Sequence, residues 1–208
     1  MGCDIDLYVE VKENDQWNHL AIPLFRDPYE AITKKVSYSN IPDTYRNYSL
    51  FALLANVRNS GQGIEPIKLP VGLPPDMSEE LKEQYEPRSL DWHSATHYTL
   101  EELLEYPWDK VVVEEIDISA EGYKEYIEEG IPRSWVRSST TIFSHEKAKR
   151  MHEQYLIGTP IGGCIRVERS DMERYGHFYF NILMVLKRKL APKVGGTKNI
   201  RIIMWFNN

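Results

Sequence analysis

Cysteine is scarce. The chain has two among its 208 residues, Cys3 and Cys164. Two isolated thiols give no disulfide framework and fit a reducing compartment. A chain of this length buries about 70% of its unfolded surface and needs no disulfide to hold a core. Long apolar runs are also missing. No stretch approaches the ~20 residues that span a bilayer. The N-terminus lacks the basic segment and apolar run of a signal peptide, and MGCDID lacks the Ser or Thr that closes a myristoylation signal. A cytoplasmic protein is expected. Positive charge is in deficit: 25 Lys and Arg face 31 Asp and Glu, for a net charge of −6. That balance does not favour a duplex nucleic acid, whose phosphates call for a basic stripe. A small anion in a locally basic pocket is still allowed. The glycines of GTPIGG (158–163) lack the spacing of a nucleotide-binding loop and read as a turn. Ser49 and Ser94 lack the strand–turn–helix glycine frame of a nucleophile elbow. There are no repeats and no low-complexity tract.

What the chain does have is a strong strand at each end. CDIDLYVEV alternates an apolar set (Cys3, Ile5, Leu7, Val9, Val11) with a second set (Asp4, Asp6, Tyr8, Glu10, Lys12). The segment NIRIIMWFNN is the second clear strand, and QWNHLAIPLF (16–25) can pair back on the first through KENDQ. Between them the pattern turns helical. An apolar face runs from Leu50 to Val57, with Ser49 placed as its N-cap. Ser78 opens a short acidic helix, and Thr99 with Glu102 forms a capping box. Ser144 caps HEKAKRMHEQYL, and Ser170 with Glu173 opens a long helix expected over 171–190. DKVVVEEIDIS and GGCIRVER read as strands. SAEGYKEYIEEG reads as a short helix, and 26–45 as an irregular excursion. The expectation is an α+β fold in one domain, 1–208. It has a small mixed sheet that includes both terminal strands, flanking helices, and an insertion or subdomain over 109–143.

Three stretches carry candidate chemistry. Asp4 and Asp6 share a strand face ~6.5–7 Å apart. A covered face would require them to be paired, hydrogen-bonded or metal-bound, and the spacing suits a hard cation such as Mg²⁺ or Mn²⁺, or divided acid and base roles. A solvated face would make them ordinary polar residues. In TYRNYSLF (44–51), Arg46, Asn47 and Tyr48 stand at a helix N-terminus, where free N–H groups and the helix dipole favour a phosphate or carboxylate. The alternative is a local ion pair for Arg46. In SLDWHSATHYTLEEL (89–103), Asp91 would orient His93, with His97 and Tyr98 nearby. The alternative there is ordinary capping in a loop.

The blocks MGCDID, RNYSLFALLANVR with GLPPDMS, HSATHYTLEELL and IRIIMWFNN together resemble a family of small uncharacterised bacteriophage proteins. That family typically opens MGCDIH, carries RNYDLF and an HSxSxLTLEEL-like block, and ends near WFDN. The likeness covers the N-terminal half and the last ten residues and is poor over about 109–165. Asp6 stands where the family has His, Ser49 where it has Asp, and Asn207 where it has Asp. The resemblance implies a phage origin and host-cell cytoplasm but no activity. It also implies that the motif positions converge. By their own chemistry, Asp4, Asp6, Asp91 and His93 are the candidate catalytic groups, with a metal on Asp4 and Asp6. Arg46, Asn47, Tyr48, His97, Trp205 and Asn207 would bind ligand.

Two functions of different class follow. One is a cleft that binds or hydrolyses a small phosphorylated ligand, expected to be a nucleotide such as a host defence signal. Tyr48, Trp92 or Trp205 would stack on the base, and turnover would be hydrolysis of a phosphodiester type. The other is a protein-binding inhibitor of a host enzyme that uses an acidic surface, for which the Glu-rich 101–129 region is suited.

Overall fold

In the computed structural model the described residues are 2–20, 47–60, 62–119, 123, 126–128, 141–154 and 160–207. The chain folds as two compact units, Met1–Pro107 with Tyr175–Asn208, and Trp108–Arg174. The expected insertion, 109–143, falls inside the second. Among the described residues no helix is long and apolar enough to cross a membrane.

The first unit is built on a four-stranded sheet in the order β2-β1-β6-β3, with β1 Asp4–Glu13, β2 Gln16–His19, β3 Trp92–Thr99 and β6 Ile200–Asn207. The class is α+β and both terminal strands are in the sheet, side by side. The sheet is antiparallel throughout rather than mixed. The β1–β2 hairpin closes on Asn14 and Asp15, both in the left-handed region (φ 49° and 62°). Two such residues make the tight turn whose twist matches that of paired strands.

Both faces of the sheet are covered, and this answers what the second set of β1 faces. On one face Ile5, Leu7, Val9 and Val11 oppose Phe206, Met204, Ile202 and Ile200. Helix α1 (Tyr48–Ala55) lies against this layer, with Phe51 edge-on to Phe206 at 5.4 Å between centroids. Residues 50–55 are all buried, as expected of a helix apolar all round. On the other face Tyr8, Ile203 and Trp205 meet Met77 and Leu81, supplied by the 62–78 loop and helix α2 (Glu79–Tyr85). β3 runs straight into α3 (Leu100–Glu105) through the expected capping box. Thr99 accepts from Glu102 N–H, and the Glu102 carboxylate accepts from Thr99 N–H.

Three local expectations change. The N-cap of α1 is Asn47, whose side chain accepts from Leu50 N–H at 3.0 Å, not Ser49, whose hydroxyl donates to Gln62. Segment 92–99 is a strand with a bulge opposite Trp205, not a loop before a helix; Ser94 in the bulge has φ 53°. The helix expected over 171–190 leaves helical geometry at Tyr175 (φ −124°, ψ 22°), then resumes as Gly176–Phe178 and two wider π turns, Tyr179–Leu183 and Leu186–Leu190.

The second unit pairs β4 (Val111–Ser119) with β5 (Pro160–Ser170). Here the stretch read as a turn is strand from Pro160 onward. Helix α4 (His145–Gln154) contributes Ala148 to a core with Tyr123, Phe143, Ile165 and Val167. Ser144 caps α4 through Lys147 N–H, and Ser170 with Glu173 boxes the start of α5 (Asp171–Arg174). Gly163 is required by packing, since a Cβ there would overlap the Phe143 ring. The excursion 26–45 and most of the 119–130 helix lie outside the described residues.

Candidate functional site

The residues expected to converge divide: Asp4, Asp6 and Asn207 meet at one end of the β1–β6 pair, whereas His93 does not join them. Directly paired residues of an antiparallel sheet share a face. Asp4 pairs with Asn207 and Asp6 with Trp205, whereas His93 pairs with Phe206. Asp6 and His93 therefore lie on opposite faces, which removes the geometry needed for an acid–base pair between them. Asp6 accepts a hydrogen bond from Asn207 Nδ2 at 3.2 Å. Among the described residues no group of three His, Cys, Asp or Glu side chains could hold a metal ion, so Asp4 and Asp6 have no third side chain of these types beside them for the expected Mg²⁺ or Mn²⁺. Asp91 is exposed, and the His93 Nδ1 partner is Ser94 Oγ at 3.0 Å instead. Arg46 lies outside the described residues.

Trp205 does not offer a stacking face. Its ring is fully buried between Tyr8 (4.4 Å, 28°) and Trp92 (4.9 Å, 23°), with Tyr85 edge-on at 5.2 Å. Burial pushes the Tyr8 hydroxyl above its ordinary range, and the charge of Asp6 adds to this. Tyr48 is a tether: its hydroxyl accepts from Cys3 N–H, and its ring lies edge-on to Phe51. Asn47 spends its side-chain oxygen on the helix cap.

Glu10 belongs to the second, alternating set of β1, and its role is not visible in that local pattern. Glu10 is fully buried and stands directly across from Arg201 on β6. One carboxylate oxygen accepts from Arg201 Nε (3.0 Å) and Nη2 (2.5 Å), and the other accepts from Ser78 N–H at 2.8 Å. Arg201 continues to Asp76 Oδ1 at 2.6 Å, and Trp17 covers the guanidinium at 4.2 Å. The hydrogen bond from Arg201 holds the Asp76 carboxyl below its ordinary value. The available signal was a glutamate within a strand whose two faces both carry large apolar residues: such a group must find a partner.

That network anchors one end of the Pro-rich loop 62–78, and the rest of the loop is fixed as closely. Ile67 N–H donates to Leu53 O at 2.8 Å, and Gly72 N–H donates to Ala95 O at 2.9 Å. Lys68 reaches Glu102 at 3.4 Å and lies 4.1 Å above the Tyr98 ring. His97 Nδ1 bonds the Gly72 carbonyl at 3.1 Å, and Gly72 takes φ 82° at that bend. His97 therefore serves the loop. Its pKa is lowered, chiefly by burial. Leu73 and Met77 pack into the core beneath. Between Lys68 and Gly72 the tip Leu69–Pro70–Val71 points outward, with Leu69 62% and Val71 57% exposed. The helix that follows the loop, α2, carries exposed Glu79, Glu80 and Glu83, and α3, tied to the loop through Lys68 and Glu102, carries exposed Glu101 and Glu105.

Compared with known proteins, the chain matches no family model, no curated sequence and no solved structure.

Proposed function

We propose that the protein is a binding module for another protein, and that the 69–71 tip is its contact. The observation that supports this is a pair of apolar side chains held in solvent by a three-residue tip with an anchor on each side. A loop ordered before it binds loses little entropy on binding, and loops held by a rigid scaffold are common carriers of recognition. The exposed glutamates on the two helices attached to the loop set the partner's chemistry: an apolar pocket with a rim of Lys or Arg. The resemblance to phage proteins makes a host enzyme the natural owner of such a pocket, with inhibition as the outcome. A phosphorylated small ligand is the weaker reading, because Trp205 has no free face and Asn47 is already engaged.

The test places a photo-crosslinking side chain at position 69 in host cells and identifies the adduct. The captured protein is then purified and titrated by calorimetry. Burying Leu69 is worth about 1.5–3 kcal/mol, so Leu69→Asp should weaken binding at least tenfold, and Val71→Asp similarly, with melting temperature unchanged. Binding that survives both substitutions refutes the reading.

A further inference from the structure

The charge of this acidic chain is unevenly placed. All 31 acidic residues and 18 of the 25 basic residues lie in 1–173, so 174–208 carries seven Lys or Arg and no Asp or Glu. Arg201 is the buried partner of Glu10, and Arg174 pairs with Asp171. The other five, Lys187, Arg188, Lys189, Lys193 and Lys198, are exposed, and none of them has an ion-pair partner among the described residues. They are gathered on the last π turn and the turns that follow it. A local positive field persists despite the net charge, because exposed charges are screened beyond about 8 Å at physiological salt.

An exposed aromatic ring accompanies them. Phe178, Ile182, Leu183, Leu186 and Leu190 face the core, so the opposite side of the same helical run carries Phe180, Lys187 and Arg188. Phe180 is 54% exposed, and Tyr179 meets it edge-on (5.0 Å, 86°). Phe180 and the Lys187, Arg188 and Lys189 cations are exposed residues of the two successive π turns, Tyr179–Leu183 and Leu186–Leu190.

We propose that this face binds single-stranded nucleic acid, with Phe180 stacking on a base and the five cations following the phosphates. Cations along a backbone track beside an exposed aromatic platform are the combination such binding uses. A duplex keeps its base faces stacked and leaves Phe180 without a role. A membrane surface fits less well, because the apolar side of the helix is committed to the core and only Phe180 is left to insert.

The experiment is fluorescence anisotropy of a labelled oligothymidylate titrated with the intact protein over a range of salt, beside a duplex of equal length and polyglutamate as competitor. The single strand should bind more tightly than the duplex. Phe180→Ala should weaken it about tenfold with the salt dependence unchanged. The triple change Lys187→Ala, Arg188→Ala, Lys189→Ala should flatten the slope of log K against log salt by about two. Each variant should keep the wild-type melting temperature, and Leu69→Asp should bind the oligonucleotide like wild type, which separates this face from the 69–71 tip. Absence of binding at low salt overturns the proposal. So does equal affinity for duplex or polyglutamate with no effect of Phe180→Ala, which marks the patch as a generic cation surface.

Discussion

Glu10→Gln is the most informative single perturbation of the first unit. The change is nearly isosteric, so packing is preserved. A glutamine can still accept from Ser78 N–H with its oxygen, but its amide then places donors against Arg201 Nε and Nη2. Arg201, 4% exposed, keeps only Asp76, whose side chain is 62% exposed, to offset its charge. Breaking a buried pair by removing one partner costs about 3–5 kcal/mol; the surviving Asp76 contact argues for the lower end. For a chain of this size each kcal/mol moves the melting temperature about 2–4 °C, so a fall of about 6–12 °C is expected for the first unit. Asp76→Asn, at the solvated end, should cost about 1 kcal/mol or less. Replacing both buried partners, as in Glu10→Leu with Arg201→Met, should recover most of the loss, since an apolar pair of similar volume removes the stranded charge. Calorimetry together with urea unfolding followed by tryptophan fluorescence reads all four proteins, and hydrogen exchange at the Ser78 amide reports the loop anchor. A Glu10→Gln melting temperature within about 2 °C of wild type would refute the assignment of this pair as the structural clamp.

Two further outcomes are expected. Asn47→Ala should destabilise the first unit by about 1 kcal/mol through loss of the α1 cap, whereas Ser49→Ala should stay within about 0.5 kcal/mol; urea midpoints distinguish the two. His97 is held below its ordinary value of 6.5, chiefly by burial, so between that value and its folded one the unfolded chain binds more protons. Its contribution is present in full above about pH 6.5 and is lost as the pH falls from there through the folded-state value. His97→Gln, which retains a donor for the Gly72 carbonyl, should flatten the pH 7 to 5 part of the stability profile. It should leave the more acidic loss, where Asp76 protonates, in place.

The β1 and β6 strands, the Thr99–Glu102 and Ser170–Glu173 boxes and the α+β class were legible because each is a short-range pattern: alternation, or a hydroxyl three residues ahead of a carboxylate. The N-cap moved from Ser49 to Asn47 because both residue types cap and only the start of the helix decides between them. The strand at 92–99 was obscured by its bulge, since an extra residue at Ser94 and Ala95 breaks the period of two. The separation of His93 from Asp6 depends on which residues pair across β6, and no local pattern contains that register. The stack of Tyr8, Trp205 and Trp92 was hidden for the same reason, because a tryptophan in a strand reads equally as a ligand platform or as core.

The position of β6 has a consequence for the order in which the protein is made. β6 lies between β1 and β3, yet it leaves the ribosome only after the whole second unit has been synthesised. At about 5–20 residues per second, β3 waits roughly 5–20 s, and β1 about twice as long, for the strand that joins them. During that interval Ile5, Leu7, Val9 and Tyr98 have no sheet partner, and Glu10 has no Arg201. The second unit, whose strands are both contained in 108–174, is free to fold first. A nascent chain halted before residue 200 should therefore hold a protected second unit beside an open, chaperone-binding first one.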